Sequence, residues 1–168
     1  MQPTRWMLAA MLIGGPADAG VAQPMPPCVV PAELAGWGQR HPLAAATRLA
    51  GDPAPELVPG EAVDLALAPI DKLILATPLS KPQQPGDQGG MVRFRVALSG
   101  TYRIALGRHG WIDVLQGGKP VASVAHAPGQ DCASVAKRVD FTLAPGSYVL
   151  QLSASADASM PLMIARLP

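Results

Sequence analysis

From residue 61 onward apolar and polar residues alternate with a period of two, and this pattern constrains the fold more than any other feature of the sequence. Five segments show it clearly: 63–67, 92–98, 102–106, 139–143 and 148–152. Successive side chains of a strand point to opposite faces of a sheet, so each segment is typical of a half-buried β-strand. Weaker strands are predicted at 73–76, 111–115, 121–126 and 162–167.

The predicted strands are separated by turn residues. The chain has 17 Gly and 19 Pro among its 168 residues, about twice the average usage. Turn pairs stand at 85–86, 89–90, 99–100, 109–110, 117–118 and 145–146. Many short strands at close spacing predict an all-β fold. We therefore expect an antiparallel, jelly-roll-like β-sandwich of about eight or nine strands over residues 61–168.

Two of these strands open in the same way, with a turn, a glycine, a small hydroxyl residue and a tyrosine. The two copies are Gly100-Thr101-Tyr102 and Gly146-Ser147-Tyr148. We expect two similar tight corners, after which each tyrosine ring packs inward. This strand opening, over residues 90–168, resembles the pre-peptidase C-terminal type of β-sandwich and related jelly rolls, and the resemblance implies the same fold class.

Residues 23–60 are rich in proline and alanine and are predicted to be mostly irregular. Proline breaks long elements but is tolerated in the first turn of a helix. Two short helical turns are therefore expected, at 31–37 and 42–50.

The first 22 residues predict a signal peptide. Arg5 supplies a positive start, Met7–Ile13 an apolar run, and small residues precede cleavage after Ala22 or Ala19. The run is about half of the roughly 20 residues that span a bilayer, and no later stretch is long and uncharged enough to span. We expect an exported protein, periplasmic or extracellular, without a transmembrane segment after cleavage. Lipid attachment at Cys28 is the alternative, although Met25-Pro26-Pro27 lacks the small residues that normally precede a lipidated cysteine.

The chain has two cysteines, Cys28 and Cys132. In an oxidising compartment a pair without redox spacing favours a structural disulfide, which would fasten the N-terminal segment to the sandwich. The alternative is a reactive thiol at Cys132, activated by a nearby cation such as Lys137, Arg138 or His126.

The net charge argues against nucleic acid as a partner. Lys and Arg number 13 and Asp and Glu 12, which gives +1. A protein that binds a polyanion needs a basic face to displace counterions from the phosphates.

The whole chain resembles a group of short exported bacterial proteins of unknown role, whose members often carry the label homogentisate 1,2-dioxygenase. The resemblance rests on four segments: Ala35–Trp37, Ala62–Leu67, Gly110–Val114 and Ala122–His126. The label implies a non-haem iron enzyme, in which two histidines and one carboxylate hold Fe(II).

The residues do not supply that ligand set. Beyond the predicted leader the histidines are His41, His109 and His126, and all three Glu precede the region of clear strands. No His-x-His followed by Glu stands on paired strands, as an iron site in a β-barrel would require. We therefore expect that the dioxygenase label does not describe this chain.

The best polar group for a divalent metal is His109, Asp113, His126 and Asp131. Two imidazoles and a carboxylate could hold Zn²⁺ or a similar ion if neighbouring strands bring them together. Without a metal, a solvated turn histidine and a strand-end histidine bonded to the backbone explain the same residues.

Two further sets could bind a ligand. Trp37 and Trp111 could stack on a sugar ring, or they could be packing residues in a chain with few aromatics. Arg93, Arg95 and Arg103 are expected on one polar face of two adjacent strands, where they would attract an anionic polymer or a lipid head group. A solvated strand face that discourages edge pairing is the alternative.

These observations predict an exported, non-enzymatic binding or accessory protein with no cofactor, whose partner is an envelope protein or a glycan. The alternative is a metal-dependent enzyme of the dioxygenase type.

Overall fold

The computed structural model describes residues 30–50, 54–130 and 134–168. Strands dominate these ranges, and the two helical segments are short 3₁₀ helices at Ala32–Gly38 and Ile70–Lys72. Neither these nor any other described segment forms a helix long and apolar enough to cross a membrane.

Twelve strands are formed by the described residues. In chain order they are β1 (His41–Ala44), β2 (Glu56–Leu57), β3 (Ala62–Ala66), β4 (Ala68–Pro69), β5 (Gln88–Val96), β6 (Gly100–Leu106), β7 (Trp111–Gln116), β8 (Lys119–Val121), β9 (Ala125–Gln130), β10 (Val135–Leu143), β11 (Gly146–Ser155) and β12 (Ser159–Arg166).

The strands form two sheets that pack face to face as a sandwich. The first sheet has the order β1-β3-β12-β6-β10-β9, and the second has the order β2-β5-β11-β7-β8 with β4 also paired to β5. The pairs β1–β3 and β2–β5 are parallel, and the other neighbours are antiparallel. The predicted all-β sandwich is confirmed, with mixed sheets instead of purely antiparallel ones.

The core lies between the sheets and comes from the period-two pattern. Val63, Leu65, Val92, Ile104 and Leu150 are fully buried in one cluster. In the same core the rings of Phe94 and Tyr148, paired on the neighbouring strands β5 and β11, stack with centroids 5.3 Å apart. Burial of a side chain of this size stabilises the fold by about 1.5–3 kcal/mol.

The two predicted corners are confirmed and are closely alike. The hydroxyl of Tyr102 donates to the carbonyl oxygen of Leu98 at 2.9 Å, and that of Tyr148 donates to Ala144 at 2.8 Å. The preceding glycines, Gly100 and Gly146, have φ of 156° and 157°. Each tyrosine thereby fixes the bend by which the chain leaves one sheet and enters the other.

The Pro-rich segment is part of the sandwich. The helical turn predicted at 31–37 is confirmed, and its Leu34 and Trp37 pack in a second cluster with Ala105, Met163 and others. The helical turn predicted at 42–50 is wrong, because His41–Ala44 pairs with β3 as a strand. Proline fixes φ at a value that an edge strand also accepts.

Two predicted strands differ from the structure. Residues 73–76 do not form a strand, because their backbone groups bond elsewhere. The Ile74 N–H donates to the Thr47 carbonyl, and the Ala76 N–H donates to the side-chain amide of Gln151 on the outer face of the second sheet. The same amide donates to the Thr77 carbonyl. The segment 121–126 is split, since the chain crosses from β8 in one sheet to β9 in the other.

Prolines stand in the short strands at the sheet edges. Pro42 lies in β1 and Pro128 in β9 at the two ends of the first sheet, while Pro120 lies in β8 and Pro69 in β4 on the second sheet. A proline has no N–H for a further strand, so these positions weaken pairing between molecules.

Candidate functional site

The main candidate site is a cleft between the sheets, at the side where β7 and β8 face β9 and β10. Its volume is about 330 Å³. Its apolar walls come from Ile112, Val114 and Val121 on one sheet and from Val139 and Phe141 on the other. We call this cavity the β8/β9 cleft. Ligand sites are commonly concave and mostly apolar, with a few polar groups that orient the ligand.

The cleft exists because β8 is short. It pairs with β7 only over Val114–Gln116, and its last residue is Val121. The chain then crosses to the first sheet, where β9 begins at Ala125. Beside the first half of β7 the second sheet thus has no further strand among the described residues, and the gap opens onto the core.

Polar groups surround Trp111 at the rim of the β8/β9 cleft. The indole N–H of Trp111 donates to Ser80 Oγ at 2.6 Å and lies 3.2 Å from Asp113 Oδ1. The Ser80 hydroxyl donates to the same Asp113 oxygen at 2.5 Å. Asp113 Oδ2 is buried and has no hydrogen-bond partner within residues 30–50, 54–130 and 134–168. A buried acceptor without a donor lowers the stability of the fold, because its hydrogen bonds to water are not replaced.

Lys137 lies beside the same ring and lines the cleft. Its Nζ is 4.9 Å from the Trp111 ring centroid and donates to the Gly110 carbonyl at 3.0 Å. A second ammonium, that of Lys81, is 5.6 Å from the same centroid. Burial lowers the pKa of Lys137, and repulsion from Lys81 adds to this, while Asp113 acts in the opposite direction.

The structure brings together part of the predicted metal group. Asp113 and His126 both line the β8/β9 cleft, whereas His109 is exposed in the connection between β6 and β7 and is not among the lining residues. Within the described parts of the chain no three His, Cys, Asp or Glu side chains are grouped as metal ligands.

Three predicted residues lie outside the described residues: Asp131, Cys28 and Cys132. The proposed disulfide therefore stays a prediction, as does the contribution of Asp131 to a metal site.

The two tryptophans have different environments. Trp37 is only 3% exposed and packs on the outer face of the first sheet, so neither ring face is open to a sugar. Trp111 is half-buried at the cleft rim, where the two lysines approach its ring.

The three arginines do not share a face, because β5 and β6 belong to different sheets. Arg93 and Arg95 are exposed on the second sheet. Arg103 lies on the first sheet, where its guanidinium binds Asp140 through two bonds of 2.9 Å and Glu33 through one of 2.5 Å. The hydrogen bonds to Asp140 raise the pKa of Arg103. The charge of Arg103 is therefore paired with carboxylates of the same chain.

Sequence reasoning missed Ser80 and Lys81 as site residues and named Lys137 only as a neighbour of Cys132. Ser80 and Lys81 lie in a loop 30 positions before Trp111, and no spacing rule connects them to β7. For Lys137 the sequence did contain a signal: it lies two residues before Val139 and four before Phe141, which both face the core, so the alternation places Lys137 on the same face.

No family model, curated protein or solved structure matches this chain. The fold and the β8/β9 cleft describe an all-β sandwich protein with an apolar cleft of about 330 Å³ between its two sheets.

Proposed function

We propose that this chain is an exported, non-enzymatic binding protein of the cell envelope, and that the β8/β9 cleft is where it binds its partner. The observation that carries the proposal is the cleft itself. It has an apolar interior, and Lys137 and His126 supply polar groups to its lining.

The chemistry of the rim supports binding in preference to catalysis. Asp113 Oδ1 accepts hydrogen bonds from both Ser80 and Trp111, so this oxygen is engaged in holding the loop against β7. His126 is exposed at the cleft, and in the described residues the Ser80 hydroxyl donates to a carboxylate instead of an imidazole. A serine nucleophile is usually activated by a histidine within hydrogen-bond reach, and the carboxylate that Ser80 contacts is already bound by the Trp111 indole.

The partner class is an envelope protein or a glycan, as the sequence predicts. Trp111 is the tryptophan available for contact at the cleft, because Trp37 is buried. The indole edge is held by Ser80 and Asp113, so its position is fixed before any partner arrives.

The test is capture of a partner from envelope extract with two matched variants. Val121→Trp fills the cleft, whereas Val124→Trp adds the same ring at a residue that is 59% exposed. We expect wild type and Val124→Trp to capture the same protein or glycan, and Val121→Trp to lose it. The captured partner must then bind again in purified form. Equal capture by all three proteins would contradict the proposal.

The metal-dependent alternative is tested on the same purified protein. Stoichiometric metal that disappears in His126→Ala, or in His109→Ala, would favour the enzyme over the binding protein. Both residues are exposed, so the substitutions leave the core unchanged.

A further inference from the structure

The β8/β9 cleft combines an apolar interior with the ammonium of Lys137 in its lining, and a second ammonium, that of Lys81, lies close to Trp111. Two ammonium groups, those of Lys137 and Lys81, lie within 5.6 Å of the Trp111 ring centroid. The neighbouring carboxylate is that of Asp113, and no salt bridge forms between it and either lysine. Like charges near one ring repel each other, and an anion bound at Lys137 offsets that repulsion.

Lys137 is placed to bind such an anion, because its side chain lines the cleft. Its strand β10 directs Val139 and Phe141 into the core, and Lys137 stands in step with them, so its side chain runs along the cleft wall. An ammonium has three N–H donors, and the acceptor it has in the described part of the chain is the Gly110 carbonyl. Lys137 is half-buried, and at such a position a charge-assisted hydrogen bond to a ligand is stronger than in water.

The size and lining of the cleft limit the rest of the ligand. Its volume of about 330 Å³ is at the lower end of ligand sites, which run from roughly 300 to 1,000 Å³. The surfaces beyond Lys137 are valine, isoleucine and phenylalanine side chains. A ligand that fills the space must therefore be small and mostly hydrocarbon.

We propose that the β8/β9 cleft binds a small organic acid, with its carboxylate on Lys137 and its apolar body between Val114, Val121 and Phe141. This inference rests on the proposed function, because it takes the cleft to be the binding site, and it adds the chemistry of the group that enters the cleft: an apolar body with a carboxylate. No covalent step is involved.

The competing chemistry is a ligand with a donor group for Asp113. Its Oδ2 is buried without a hydrogen-bond partner in the described residues, and an amine or hydroxyl would satisfy it. The two lysines outnumber this carboxylate, so we expect an amine to be repelled. The choice of probes below separates these cases.

The experiment is isothermal titration calorimetry of the purified chain with three probes that share one hydrocarbon body: octanoate, octan-1-ol and octylamine. We expect one molecule of octanoate to bind, with a dissociation constant at least ten-fold lower than that of either other probe. Lys137→Met keeps the apolar stem and removes the charge, so it should weaken octanoate binding at least ten-fold. Lys119→Met, at an exposed residue of β8 outside the cleft, is the matched control and should bind as wild type.

The variants Val121→Trp and Val124→Trp separate the cleft from the surface. The first should abolish octanoate binding and the second should preserve it. Urea unfolding of each variant identifies any loss of binding that comes from misfolding, and Lys137→Met supplies an independent reading should Val121→Trp fail to fold.

The outcomes distinguish this inference from the function on which it rests. Octylamine or octanol binding as tightly as octanoate would overturn the organic acid but leave the cleft as a binding site. An octanoate affinity that is unchanged in Lys137→Met would also overturn the proposal that the ligand is an organic acid held by Lys137. If no probe binds while partner capture still depends on Val121, the ligand class is wrong and the proposed function stands. If capture is also insensitive to Val121, both are wrong.

Discussion

Removal of one oxygen atom from each tyrosine corner tests how the sandwich is held together. In Tyr148→Phe the ring keeps its position against Phe94, where the centroids are 5.3 Å apart, and only the hydrogen bond of 2.8 Å to the Ala144 carbonyl is lost. Ala144 is exposed, so water can replace the lost donor. The loss should therefore be close to the net value of one hydrogen bond, about 1 kcal/mol.

The second corner provides an internal replicate. Tyr102→Phe removes a bond of 2.9 Å to the Leu98 carbonyl, and Leu98 is 63% exposed. We expect the same loss of about 1 kcal/mol. The two corners lie on different strand connections and share no partner, so the double variant should lose about 2 kcal/mol.

The measurement is urea unfolding at equilibrium. With a slope of about 2 kcal/mol per molar urea, each single variant should lower the midpoint by roughly 0.5 M and the double variant by roughly 1 M. Tyr148→Leu is the control for the ring, because it also removes the contact with Phe94 and should lose more than Tyr148→Phe. An unchanged midpoint in Tyr148→Phe, or an equal loss in both Tyr148 variants, would refute the argument that the corner hydroxyl stabilises the bend.

Three further changes test other parts of the fold by the same unfolding measurement. Arg103→Met should lower the free energy of unfolding by about 2–3 kcal/mol, because it leaves two partly buried carboxylates without their cation. An unchanged free energy of unfolding would show that these ion pairs do not stabilise the fold. Lys137 has a lowered pKa in the folded chain, so its contribution to stability rises with pH between that value and 10.5. The difference between wild type and Lys137→Met should therefore shift in favour of wild type as the pH rises toward 10.5, and a constant difference would contradict this. Gly90→Ala should lower the free energy of unfolding by about 1–3 kcal/mol, because its new β-carbon would lie 2.4 Å from that of Ala45. Gly38→Ala is the control: its β-carbon meets no atom within 4 Å, so the free energy of unfolding should not change.

The sequence predicts the parts of the fold that depend on side-chain alternation. Val92, Phe94 and Val96 point to the core as expected, and the two Gly-x-Tyr corners have the expected geometry. What alternation cannot predict is which sheet a strand joins. The three arginines were expected on one face, but the corner at Leu98–Gly100 carries the chain to the other sheet, so Arg103 and Arg95 belong to different sheets.

The sequence pattern also failed to predict the conformation of extended segments that lack alternation. His41–Ala44 reads as a proline-led helical turn, yet its backbone is used by β3 as a parallel edge partner. Residues 73–76 have the composition of a strand, but the Ile74 N–H donates to the Thr47 carbonyl and the Ala76 N–H to the buried side-chain amide of Gln151. A side chain that replaces a strand partner leaves no periodic signal in the sequence.

The candidate site was only partly predictable for the same reason. Trp111, Asp113 and His126 were named because of their chemistry, and all three line the β8/β9 cleft. Ser80 and Lys81 contact Trp111 through a loop whose path depends on tertiary packing.

The prolines at the sheet edges also limit how another molecule can recognise this one. A partner that adds its own strand to a sheet needs a row of main-chain N–H and C=O groups, and such pairing reads little of the host's side-chain chemistry. Pro42, Pro69, Pro120 and Pro128 each interrupt that row. Selectivity must then come from side chains, so substitutions that alter one functional group at a time are the suitable way to map what this protein recognises.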